Sequence, residues 1–95
     1  MKLVKLPQVT DLTTKSRSTV YEEIQKGLMV PPIRLGGNSV AWVESEIIAI
    51  NCARIAGKPD DQIKELVKQL VADRAKLPSI IDGFQSNQQP VEAVQ

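Results

Sequence analysis

The sequence predicts a mainly α-helical domain with one small β-hairpin. Two observations carry that expectation. Apolar residues recur at helical spacing in four separate stretches. Between the second and third, "PPIRLGGNSVAW" excludes helix and reads as two short strands about a turn.

The elements follow in order. "LPQVTDLT" is a short helix, with Pro7 in its first turn and Leu6, Val9 and Leu12 on one side. "TTK" interrupts it. Ser16 can cap the next helix by accepting a free backbone N–H. That helix runs to about Lys26 and ends at Gly27, because glycine tolerates the left-handed conformation after a C-cap. Val20 and Ile24 form its inner stripe. Ile33 and Leu35 then alternate around Arg34, and Val40 and Trp42 around Ala41, with "GGNS" as turn chemistry between them. A third helix spans roughly Val43 to Ala56, with Ile47, Ile48, Ile50 and Ile55 as a broad apolar surface, and Gly57 stops it. A fourth starts at Pro59–Asp61 and runs to about Lys76. Its stripe is Ile63, Leu66, Val67, Leu70, Val71 and Leu77. Arg74 and Lys76 suit its negative end, and Pro78 stops it. The order helix, tight turn, helix, hairpin, helix is the plan of a winged helix-turn-helix. The expected division is a winged helix-turn-helix at 1–57, an additional amphipathic helix at 58–78 serving as core or dimer contact, and a mobile, glutamine-rich tail at 79–95.

Composition narrows the chemistry. Ninety-five residues make one small domain with no room for a large substrate cavity. With no histidine and a single cysteine, Cys52, there is no internal disulfide, no His/Cys zinc site and no Ser-His or Cys-His catalysis. An enzyme is therefore not expected, nor a cofactor. No export signal or membrane span is visible, which fits the cytoplasm. The net charge of +1 is uninformative. Its distribution is not: residues 1–34 hold Lys2, Lys5, Lys15, Arg17, Lys26 and Arg34 against Asp11, Glu22 and Glu23.

The start of the second helix carries the functional reading. "KSRSTVYEEIQK" clusters Ser16, Arg17, Ser18 and Thr19 where one cap would do. In a helix-turn-helix, the second helix places its N-terminal residues at base edges in the major groove. Arginine can bind guanine O6 and N7 with two bonds, and short hydroxyls reach bases or phosphates. With Val20 and Ile24 inward, Ser18, Glu22 and Gln25 point outward and Tyr21 sits at the flank. Lys15 and Lys26 can meet backbone phosphates. Glu22 either accepts from cytosine N4 or repels phosphate. On the hairpin, Arg34 and Asn38 can touch the adjacent backbone or minor groove, while Trp42 is expected to anchor the core. The plainer alternative is a cap followed by solvated polar residues.

These residues resemble the AlpA family of prophage regulators. The likeness covers about Leu6 to Ile55 and is most specific in "SRSTVYEEI", "IRLGGNSVAW" and "WVESEI". It implies a sequence-specific DNA-binding protein of a prophage or integrated element, one that regulates an integrase gene, acts as an excisionase, or both. It also implies that Ser16, Arg17, Ser18, Thr19 and Tyr21 belong to a recognition helix, Arg34 and Gly36–Ser39 to a wing, and Trp42 to the framework. The family commonly has glycine and a hydrophobic residue where this chain has Thr14 and Lys15, and Phe-Pro near Met29 and Val30. It often carries arginine at the wing tip, where this chain has Asn38. Double-stranded DNA is the expected partner; a homodimer or cooperative array and an integrase are further candidates, and no membrane is expected. The alternative function is a small adaptor or antitoxin acting through the C-terminal helix.

Overall fold

A computed structural model describes residues 1–76. The elements run β1 (Leu3–Val4), α1 (Leu6–Thr13), α2 (Arg17–Lys26), β2 (Ile33–Gly36), β3 (Ser39–Val43), α3 (Glu44–Ile55) and α4 (Asp60–Arg74). This is a winged helix-turn-helix with one further helix. The expected tail at 79–95, with Leu77 and Pro78 before it, lies outside the described residues.

The hairpin is larger than expected. β1 joins it to give an antiparallel sheet in the order β1-β3-β2. Leu3 pairs with Val43 and Val4 with Trp42, and Glu44 N–H donates to Lys2 O at 2.9 Å. Two residues carry no readable periodicity, so nothing in the sequence marks β1. Its effect is to make β3 the central strand, and Ala41, Trp42 and Val43 are all buried. The alternation expected around Ala41 is therefore not kept. The register of β2 against β3 slips between Arg34 and Gly36, which leaves Leu35 without a paired position and 48% exposed.

Trp42 sits at the centre of the core with Val4, Val9, Val20, Met29, Val30, Ile47, Ile50 and Ile63 around it. Its indole N–H donates to Val30 O at 3.2 Å, which satisfies a donor that burial would otherwise leave bare. The run Leu28–Val30 is wholly buried, so the segment entering the wing is core rather than linker. Of the four isoleucines expected on α3's apolar surface, only Ile47 and Ile50 face inward; Ile48 and Ile55 are exposed.

α4 belongs to the same core through Ile63 and Val67, with Leu66, Leu70 and Val71 packed at its edge. Arg74 does more than complement a helix end. Its Nε and NH2 donate to the two carboxylate oxygens of Glu46 at 2.9 and 2.6 Å, and NH2 also donates to Pro31 O at 2.8 Å. One guanidinium thus ties α4 to α3 and to the proline segment before the wing. Glu46 is buried, so losing its partner leaves a charge without compensation. Arg74→Ala is expected to lower stability by about 3 kcal/mol in urea denaturation. A loss below about 1 kcal/mol, the level of a surface pair, would contradict this role.

Candidate nucleic-acid interface

α2 is shaped at both ends by local chemistry. Ser16 is its N-cap, accepting from Thr19 N–H at 3.2 Å, and its hydroxyl lies 3.0 Å from Thr19 Oγ1. At the other end Gly27 has φ 79°. Leu28 N–H reaches Glu23 O at 2.8 Å and Gly27 N–H reaches Ile24 O at 3.2 Å, a Schellman closure. Val20 is fully buried and fixes the rotation of the helix. Arg17, Ser18, Tyr21, Glu22, Gln25 and Lys26 are exposed, and Thr19 is half-buried.

The turn from α1 into α2 is tight because Thr14 takes φ 58°, ψ 25°. A β-branched residue is strained in that left-handed conformation. Its hydroxyl donates to Thr13 O at 2.6 Å, and Asn51 Nδ2 on α3 donates to Leu12 O at 2.9 Å. Both bonds satisfy carbonyls that the helix end leaves open. Between α1 and the start of α2 lies an open groove of about 800 Å³, lined by Pro7, Gln8, Thr10 and Asp11 of α1, Thr14, Lys15 and Ser16 of the turn, and Arg17 of α2.

The predicted site residues separate into two groups. Arg17, Ser18, Tyr21, Gln25, Arg34 and Asn38 make no side-chain hydrogen bond or ion pair among the described residues. Tyr21 is braced all the same: its ring meets Trp42 edge-on at 6.3 Å and 65°, while the residue remains 42% exposed. In the second group, Ser16 and Thr19 are engaged in the cap. Lys26 pairs with Glu22 at 3.5 Å, both well exposed. Lys15 donates to both oxygens of Glu23 at 2.6 and 2.7 Å. Glu23 is also 3.9 Å from Arg54 NH2, and Arg54 NH1 is 3.2 Å from Asp60. The turn, α2, α3 and the start of α4 thus share one chain of charges.

Sequence reasoning missed two residues that position this surface. Glu23 anchors Lys15 and Arg54, yet it reads as one of two ordinary helix acids. Lys5 donates to Ser39 Oγ at 2.8 Å and to Val40 O at 3.1 Å, so it ties the base of the wing to the start of α1. A contact between residues 34 and 35 positions apart leaves no local signal. Trp42 is buried in the core. Among the described residues no three carboxylate or cysteine side chains gather to hold a metal, and no helix is long and apolar enough to cross a membrane.

A short helix pair joined by a tight turn, an exposed first turn on the second helix and a sheet wing behind it together define a winged helix-turn-helix protein. The chain belongs to the AlpA family: the family described as prophage CP4-57 regulatory protein (AlpA) matches residues 2–49. That is a family of prophage regulatory proteins. The chain is also 46% identical over 57 residues to an uncharacterized protein, ORF88, of Enterobacteria phage P4. The match covers 60% of this chain and 65% of the phage protein, so the chain spans a little under two thirds of that relative's length. No solved structure matches the chain.

Thr14 supplies a test of the turn. Thr14→Gly removes the left-handed penalty of about 1–2 kcal/mol and adds about 0.5–1 kcal/mol of glycine entropy. The variant is expected to gain up to about 1 kcal/mol in chemical denaturation. A clear loss of stability would mean that the Thr14 hydroxyl outweighs the strain.

Proposed function

We propose that this chain binds duplex DNA, with the first turn of α2 in the major groove and the wing over the adjacent backbone. The observation that carries the reading is the exposed Arg17–Ser18 pair, which has no partner among the described residues at the one helix end where such proteins read bases. Arg17 is assigned to a guanine edge and Ser18 to a base or phosphate. Ser16 and Thr19 cap the first turn, and its remaining free N–H groups favour a phosphate. Tyr21, Gln25 and Lys26 continue along the outward face. Arg34 and Asn38 are assigned to backbone contacts from the wing. Lys15 is given a different part from a free phosphate ligand: its ammonium braces the turn against Glu23.

The regulated target is proposed to be an integrase gene or an attachment site on the element's own DNA, in the cytoplasm. Promoter activation and excision need the same protein surface and differ only in where the sites lie. Footprinting across the integrase promoter and the attachment arms separates them. A protein adaptor acting through α4 is the weaker reading, because that helix has its apolar stripe turned into the core.

Arg17→Ala is expected to weaken binding by about 1–3 kcal/mol and relax preference at one base pair. Wild-type affinity in a gel-shift series would refute the assignment. Arg34→Ala is expected to reduce the slope of log K against log salt by about one unit. Lys15→Ala is expected to change that slope by clearly less. If Lys15→Ala flattens it by the full unit, the lysine leaves Glu23 to meet a phosphate.

A further inference from the structure

Beyond Glu44 in its first turn, the exposed residues on the outer face of α3 are uncharged. Ser45, Ile48, Cys52, Ile55 and Ala56 are all exposed, Ile55 at 85% and Ile48 at 45%. Ile48, Cys52 and Ile55 follow the i, i+4, i+7 spacing that aligns side chains on one helix face. The contrast with α4 is sharp: its exposed residues include Asp60, Asp61, Lys64, Glu65 and Lys68. An apolar stripe of this kind on a small protein marks a contact surface.

We propose that this stripe pairs with the same stripe of a second copy of the chain, α3 antiparallel to α3 about a two-fold axis. The pattern is self-complementary, as such an interface requires. Laid antiparallel, Ile48 of one copy meets Ile55 of the other, and the two Cys52 side chains fall beside the axis. The charges at the ends also complement. Glu44 stands at the first turn of α3, where its half-buried carboxylate also lies 3.7 Å from the exposed Lys2 ammonium of the same chain. Lys58 is held just past the last turn by its N–H to Ala53 O at 3.0 Å, and it has no ion-pair partner among the described residues. Antiparallel pairing brings Glu44 of each copy toward Lys58 of the other. From Ile48 to Ile55 the stripe is only about 10 Å long at 1.5 Å per residue. That is small beside the roughly 800 Å² per partner of a stable interface. The pairing is therefore weak between free copies and favoured where two copies are held side by side.

Cys52 is the only cysteine in the sequence, so any thiol cross-link between chains reports this face alone. The full-length chain, treated with a short bismaleimide over a concentration series, is expected to give a covalent dimer that rises with concentration. Ile55→Lys is expected to cut its yield about tenfold, because each two-fold pair loses the contact twice. The site is solvent-exposed, so an unchanged melting curve confirms that the variant folds. Lys58→Glu is expected to weaken the dimer, and adding Glu44→Lys to restore it. Equal cross-linking in wild type and Ile55→Lys would overturn the proposal. So would a mass that stays monomeric at the highest concentration of the series: with a slow-reacting Cys52 it would mean the chain's own residues 77–95 cover the stripe, and with a freely reacting one that a foreign protein does. Arg17→Ala is expected to leave the cross-link unchanged, so failure of DNA reading and failure of pairing are separable.

Discussion

The fold depends on one buried hydrogen bond to one large side chain. Trp42 is wholly enclosed, and a desolvated indole N–H needs an acceptor. Val30 O is that acceptor, at 3.2 Å. Meeting it draws the segment after α2 inward and makes Leu28, Met29 and Val30 core. The strand that carries Trp42 is flanked by β1 on one side and β2 on the other. The same indole meets the ring of Tyr21 in a T-shaped contact, with Tyr21 on the outward side of α2. α2 and the wing therefore share contacts to one residue, which adds to Val20, Glu23 and Lys5 in holding the two in a fixed relation.

Much of this was legible in the sequence because it is local. Ser16, Gly27 and the "GGNS" turn act within a few residues of themselves, and they mark the ends of α2 and the centre of the hairpin. What could not be read is what depends on distant partners. β1 is too short to show a period. Leu35 alternates correctly with Ile33 but falls at a register slip. Ile48 and Ile55 look like Ile47 and Ile50 until the packing of α1 and α4 decides which side of α3 is covered. The exposure of Arg17 and Ser18 followed from the placement of Val20, whereas the capture of Lys15 by Glu23 crosses a turn and left no pattern.

The arrangement of charge gives the near-neutral chain a directed surface. Arg54 and Arg74 are drawn into ion pairs with Glu23, Asp60 and Glu46, and Lys15 joins Glu23. These pairs hold α2, α3 and α4 together. Arg17 and Arg34, on the first turn and the wing, make no such pair among the described residues. Net charge conceals this division, since an internal ion pair and a free guanidinium opposite a free carboxylate count alike. The sites of regulation in this prophage protein are thus proposed to rest on few cations, which fits modest affinity for a single site and a benefit from copies acting together.

The measurement that tests the central claim most directly is a backbone-amide NMR titration of the full chain with duplex DNA bearing its operator. The largest shift changes are expected at Arg17 to Tyr21, with a second group from Arg34 to Asn38. If the amides of Arg17 and Ser18 stay unmoved while those of α4 or the outer face of α3 shift, α2 is not the reading helix.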